Sequence, residues 1–149
     1  MKLKQLLLVG ILTVGLVGAA CLSKEGDSAG VQMSDAAAKL ANSFNDDQKG
    51  KALFDFDSKE RTNWWFVPLQ EDKKPLRKGL RFDQMTGEQK AMARALLRAG
   101  TSPGGFLKAT TIMSLEAILA QLEKNGANVR DPGWYFVSIF GTPSMKRQI

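Results

Sequence analysis

The sequence predicts an α+β fold, with a helical N-terminal portion packed on a small, incomplete β-sheet. Three observations carry this. Helix start and stop signals recur over residues 34–56 and 86–126. Two runs, "NWWFV" and "WYFVSIF", combine aromatic and β-branched residues between turn formers, as strands do. Two strands alone make a marginal sheet, so the residues in hand supply part of a layered domain.

The first element is a leader. "MKLK" is a positively charged start, and Leu6 to Ala20 is apolar and carries no charge. A spanning helix needs about 20 apolar residues, so this stretch suits a signal peptide ending in small residues. Cys21, the single cysteine, follows directly. "VGAAC" has the form of a lipobox, with Gly18 where Leu or Val is usual. In one reading Cys21 is acylated and anchors the protein to a membrane; in the other the leader is cut after "GAA" and leaves a free thiol. The lipoprotein reading is preferred, because a leftover thiol is uncommon in an exported protein. Both readings export the protein, and one cysteine forms no internal disulfide. The leader thus covers residues 1–21, and residues 22–33, small and polar, read as a flexible linker. The domain proper is expected over 34–144, with 145–149 as a divergent tail.

Ser34 is read as the cap of a helix over "DAAAKLANSF", and Asn45 as the cap of a second, with Asp46 and Asp47 at the positive end of its dipole. "TNWWFVP" is the first strand candidate, ended by Pro68. A charged connection with Pro75 and Gly79 follows. Thr86 and Gln89 form a capping box for "GEQKAMARALLRA", which Gly100 ends. Ser102 and Pro103 open a longer helix reaching Gly126. Leu115, Ile118, Leu119 and Leu122 share one face of it, and the short link at Gly100 makes the two helices antiparallel neighbours. The last strand, Trp134 to Phe140, is apolar on both faces and needs neighbours on both edges; "NWWFV" is the visible candidate.

Composition narrows the chemistry. The chain has 21 Lys+Arg and 15 Asp+Glu; without Lys2 and Lys4 it has 19 against 15, a mildly basic balance with no nucleic-acid signature. It has no histidine, so the commonest metal ligand and general base are absent and a Ser-His-Asp triad is impossible. No phosphate-binding glycine motif and no EF-hand spacing occurs. No metal or cofactor is expected.

Candidate binding residues fall in three places. "DFDSKERTNWWF" groups Asp55, Asp57, Glu60, Arg61 and Asn63 with Trp64 or Trp65 as a stacking floor, which suits a sugar or another flat ligand. The same stretch also reads as a polar turn entering a strand whose tryptophans are core, and this is preferred, since strand aromatics usually pack. Glu116 is a half-buried carboxylate on the long helix, either an acid or ligand or the partner of a lysine or arginine. "RDPGW" sets Arg130 and Asp131 on a turn before the last strand, where they lock the turn or border a site. Lys90, Arg94 and Arg98 form a basic stripe read as a solvated helix face.

Three of these phrases, "KALFDFDSKERTNWWFVP", "LLRAGTSPGGFLKATTIMSLEAIL" and "RDPGWYFVSIFGTPS", together resemble a family of domains of unknown function, the one numbered 3500. The resemblance covers about Gln48 to Ser144. It implies an exported or lipid-anchored bacterial protein and assigns no biochemical role. It also implies a longer chain, in which "GTPS" is followed by a segment with paired histidines; here "MKRQI" follows. On that reading the last strand's partners, and any metal or catalytic site, lie in a C-terminal half, and the present chain is a fragment. Many members carry a histidine where Trp65 stands.

The function expected is a non-catalytic binding or structural module of the cell envelope, held at the membrane by Cys21, with an unidentified small-molecule ligand. The alternative is a metal-dependent or hydrolase-like enzyme completed by the histidine-bearing segment.

Overall fold

A computed structural model describes residues 28–124 and 126–144. The leader, Cys21 and the tail at 145–149 lie outside the described residues. The fold is α+β. Helices α1 (Ala29–Asn42), α2 (Asp46–Ala52), α3 (Gly87–Ala99) and α4 (Pro103–Leu122) are joined by six two-residue strands and two short 3-10 turns.

Helix α1 begins earlier than Ser34. Ser28 is its cap, accepting from the Val31 backbone N–H at 3.4 Å, so residues 29–33 are helical rather than linker. Ser34 stands inside the helix, and Ala36, Ala37, Ala38 and Ala41, strong helix formers, carry it on to Asn42. α1 packs antiparallel on α3. Met33 lies against Gly100 at one end, and the Ser43 carbonyl accepts from Gln89 at the other. Leu40 and Phe44 from α1 and its exit, Ala52 from α2 and Ala93 from α3 form the core with Leu80, Phe82, Met85 and Ile139.

Both α2 and α3 start with a capping box. Asn45 Oδ1 accepts from Gln48 N at 2.8 Å, and Gln48 Oε1 accepts from Asn45 N at 3.1 Å. Thr86 and Gln89 repeat the arrangement at 3.2 and 3.0 Å. The two glutamines then meet. Gln48 Nε2 donates to Gln89 Oε1 at 3.0 Å, and Gln89 Nε2 donates to Gln48 Oε1 at 2.8 Å. Their remaining amide protons go to the carbonyls of Gln84 and Ser43. Both side chains are buried, and each amide has every donor and acceptor used.

The strands form three two-stranded pairings among the described residues. β2 (Gln70–Glu71) and β3 (Lys74–Pro75) are a hairpin. Its turn residues Asp72 and Lys73 have φ of 49° and 60°, the left-handed backbone that a two-residue hairpin requires. β4 (Leu80–Arg81) pairs antiparallel with β5 (Phe136–Val137), and β1 (Leu53–Phe54) pairs parallel with β6 (Ile139–Phe140). The C-terminal segment therefore switches partner at Ser138. Gly79, with φ of 113°, makes the β4–β5 approach possible: a Cβ there would lie 2.7 Å from Ser138 Oγ and 3.0 Å from the Val137 carbonyl.

Three expectations are corrected. "NWWFV" is not a strand, and it does not pair with the C-terminal segment. Its neighbours are β4 and β1, both drawn from stretches that lack a strand signature. α4 is not a close partner of α3, which packs on α1 instead. The face of α4 turned to the protein carries Phe106, Met113 and Glu116, and Ile112, Leu115, Ile118 and Leu122 face solvent.

The glutamine pair gives the first prediction. Gln48→Leu strands the Asn45 N–H, the Gln84 carbonyl and half of the Gln89 amide, and should cost about 2–4 kcal/mol. The Gln89→Leu change should cost a similar amount. The double variant should lose less than the two singles added, because no half-satisfied amide remains. Strict additivity in urea melts would contradict the pairing.

Candidate functional site

The Trp loop, the β2–β3 hairpin, the inner face of α4 and the C-terminal segment enclose an open cleft of about 710 Å³. Arg61, Asn63, Trp64, Trp65, Glu116, Arg130 and Asp131 all line it. Three stretches far apart in the sequence thus converge on one place. Asp55 and Asp57 are exposed and stay outside it.

The Trp loop is held by its ends and by one arginine. Ser58 caps the 3-10 turn Lys59–Thr62, which sets Arg61 with its guanidinium 4.2 Å over the Phe56 ring. Asn63 Nδ2 donates to Glu60 Oε2 at 3.2 Å. Arg77 Nη2 donates to the carbonyls of Trp65 and Val67 at 2.8 and 2.7 Å. Those carbonyls have no ladder to join, so the guanidinium substitutes for a neighbouring strand. The indoles project outward: Trp64 is 79% exposed and Trp65 44%. The core reading of these tryptophans is overturned, because the loop packs through its backbone.

The opposite wall rests on Arg130. Its Nε donates to Glu123 Oε2 at 2.9 Å, and its Nη1 lies 4.0 Å from Glu116 Oε1. Glu116 on α4 and Glu123, which caps the C-terminal end of that helix, are seven residues apart, so a single guanidinium reaches both. That hydrogen bond and the two carboxylate charges outweigh desolvation and raise the already high pKa of Arg130. Glu116 therefore meets an arginine, as one of its two readings expected. Asp131 locks its turn: Oδ1 accepts from Gly133 N at 2.7 Å, and its carbonyl accepts from Trp134 N at 2.9 Å. Gln70 joins the walls, exchanging two 2.9 Å hydrogen bonds with the Val129 backbone.

Sequence reasoning missed Gln70, Arg77, Trp134 and Tyr135 as cleft residues. Tyr135 and Trp134 were legible only as alternating strand positions, and Gln70 and Arg77 carry no local signal. Lys90, Arg94 and Arg98 lie away from the cleft; Arg94 and Arg98 cover the rings of Phe82 and Phe106 at 5.9 and 5.1 Å. Among the described residues no group of three His, Cys, Asp or Glu side chains is placed to hold a metal, and no helix is long and apolar enough to cross a membrane. The charged groups of the cleft are tied to partners, and the arrangement offers surfaces for binding.

Fold and site together define a small α+β protein with an aromatic-walled cleft. Residues 27–149 match the family described as Protein of unknown function (DUF3500), and the chain belongs to it. The match extends past the three quoted phrases on both sides. No match was found among curated proteins or among solved structures.

Tyr135 offers a direct check of the cleft wall. It is the chain's single tyrosine, and its hydroxyl points to the Ile112 carbonyl at 3.5 Å. Burial first, and the charge of Glu116 second, raise its pKa above the ordinary value. The folded protein thus holds this proton more tightly than the unfolded chain. The resulting stability is complete below the ordinary tyrosine value of about 10 and is lost as pH rises from there through the raised value. Tyrosinate absorbance should therefore appear at higher pH in native protein than in denaturant, and Glu116→Gln should bring the midpoint part of the way back. An identical midpoint in native and denatured protein would remove Tyr135 from this wall.

Proposed function

We propose that this protein is an exported, lipid-anchored, non-catalytic binding module of the bacterial envelope that takes a small molecule in the cleft. The observation that carries the binding reading is the convergence of Arg61, Asn63, Trp64, Trp65, Glu116, Arg130 and Asp131 on one cavity. A cavity of about 710 Å³ falls within the range of about 300–1,000 Å³ typical of small-ligand sites. Exposed indoles are costly to leave in water, since burying an aromatic side chain is worth about 1.5–3 kcal/mol. A ligand seated on them recovers part of that. The anchor is supported by the charged start, the apolar run and the lipobox-like "VGAAC" ending in Cys21.

Two measurements test the proposal. Cys21→Ala should move the protein from the membrane fraction to the soluble fraction of its cell; unchanged membrane association would reject the lipid anchor. A thermal-shift screen of the purified full chain should yield ligands that raise the melting point and perturb tryptophan emission. A hit requiring an added divalent metal would favour the enzyme reading instead.

A further inference from the structure

The charge pattern of the cleft points to a class of ligand. Four cationic and three acidic side chains line it. Arg77 is committed to two backbone carbonyls. Lys78 stands 3.7 Å from Glu60, Arg130 holds Glu123 and Glu116, and Arg61 lies over Phe56. With Glu123 counted as the partner of Arg130, four acidic side chains balance the four cationic ones, so the cleft has no net charge that would select an anion, and a cationic ligand would have to compete with an arginine for Glu116. A purely apolar ligand would cover charged and amide groups without replacing the hydrogen bonds they make to water. What fits is an uncharged molecule with flat apolar faces and a rim of hydroxyls.

We propose that the cleft binds a neutral saccharide, with the pyranose face laid on Trp64 or Trp65 and its hydroxyls bonded along the rim by Asn63, Glu116 and Asp131. The aromatic surface suits stacking. Trp64 and Phe66 are neighbours, with ring centroids 6.5 Å apart and planes tilted by 34°, and Trp134 of the C-terminal segment also lines the cleft. The rim groups are planar amide and carboxylate functions, already oriented by Glu60, Arg130 and the Gly133 N–H. Such preorganised planar groups bind vicinal hydroxyls without gaining or losing charge. The cavity has room for a short oligosaccharide.

This inference rests on reading the cleft as a binding site, and the test separates the two. The full chain is titrated, by tryptophan fluorescence and calorimetry, with neutral oligosaccharides, the matching uronic acids, sugar phosphates and nucleosides. Neutral oligosaccharides should bind best, with little dependence on ionic strength. Trp64→Ala and Trp65→Ala should each weaken binding about ten-fold, and Trp64→Ala should leave the melting curve unchanged, since Trp64 is 79% exposed. Glu116→Gln, which retains an acceptor, should weaken it less. Binding of a charged sugar or a nucleoside with none of the neutral sugars would overturn the saccharide assignment and leave the binding site standing. Silence from every class would overturn both.

Discussion

The buried amide pair of Gln48 and Gln89 is the constraint from which the rest of the architecture follows. Each glutamine closes the capping box of its own helix and also completes the other's hydrogen bonding. The starts of α2 and α3 are therefore fixed against one another. Gln89 also holds the Ser43 carbonyl at the end of α1, and Gln48 holds the Gln84 carbonyl ahead of α3. Four junctions converge on two side chains. A net gain of about 1 kcal/mol per hydrogen bond is modest, but leaving a buried amide half satisfied costs about 1–3 kcal/mol. The arrangement is thus close to all-or-none, and it sets where β1 and β4 emerge to receive the C-terminal segment.

The cleft is built by the same means: side chains that satisfy backbone groups which no sheet reaches. With strands of only two residues, much of the backbone lies outside any ladder. Arg77 supplies donors to the Trp loop, Gln70 supplies a donor and an acceptor to residue 129, and Asp131 closes its own turn. These ties fix the loop, the hairpin and the turn in place and leave Trp64 and Phe66 largely in water. The cleft exists because the local backbone is satisfied by side chains, while the aromatic rings find no layer to pack beneath.

Helix α4 shows the limit of area arguments. Leu122 is 77% exposed and Ile118 54%, although burying such side chains is worth about 1.5–3 kcal/mol each. The partly exposed ion pairs of Arg130 are worth at most about 1 kcal/mol apiece and do not by themselves outweigh that. The helix has one neighbour-bearing side, and the face carrying Phe106 and Met113 occupies it. A rigid helix that seats those two residues carries Glu116 and Glu123 inward and turns Leu115 and Ile118 out.

Short-range physics was legible in the sequence. Ser102 with Pro103, and Thr86 with Gln89, marked helix starts correctly, because a cap depends on residues within one turn. The Asp131 turn was visible for the same reason. The second capping box, Asn45 with Gln48, follows the same three-residue pattern and was open to discovery. The sequence also determined which chemistry a site here does without: with no histidine and one cysteine, imidazole and paired-thiolate ligands are ruled out for this chain. The meeting of Gln48 with Gln89, the switch of strand partner at Ser138, the inward face of α4 and the gathering of three distant phrases around one cleft were decided only in three dimensions. Each is a pairing between residues tens of positions apart. Two strands of two residues carry too little periodicity to announce themselves, and a helix apolar on nearly every face has no phase to read.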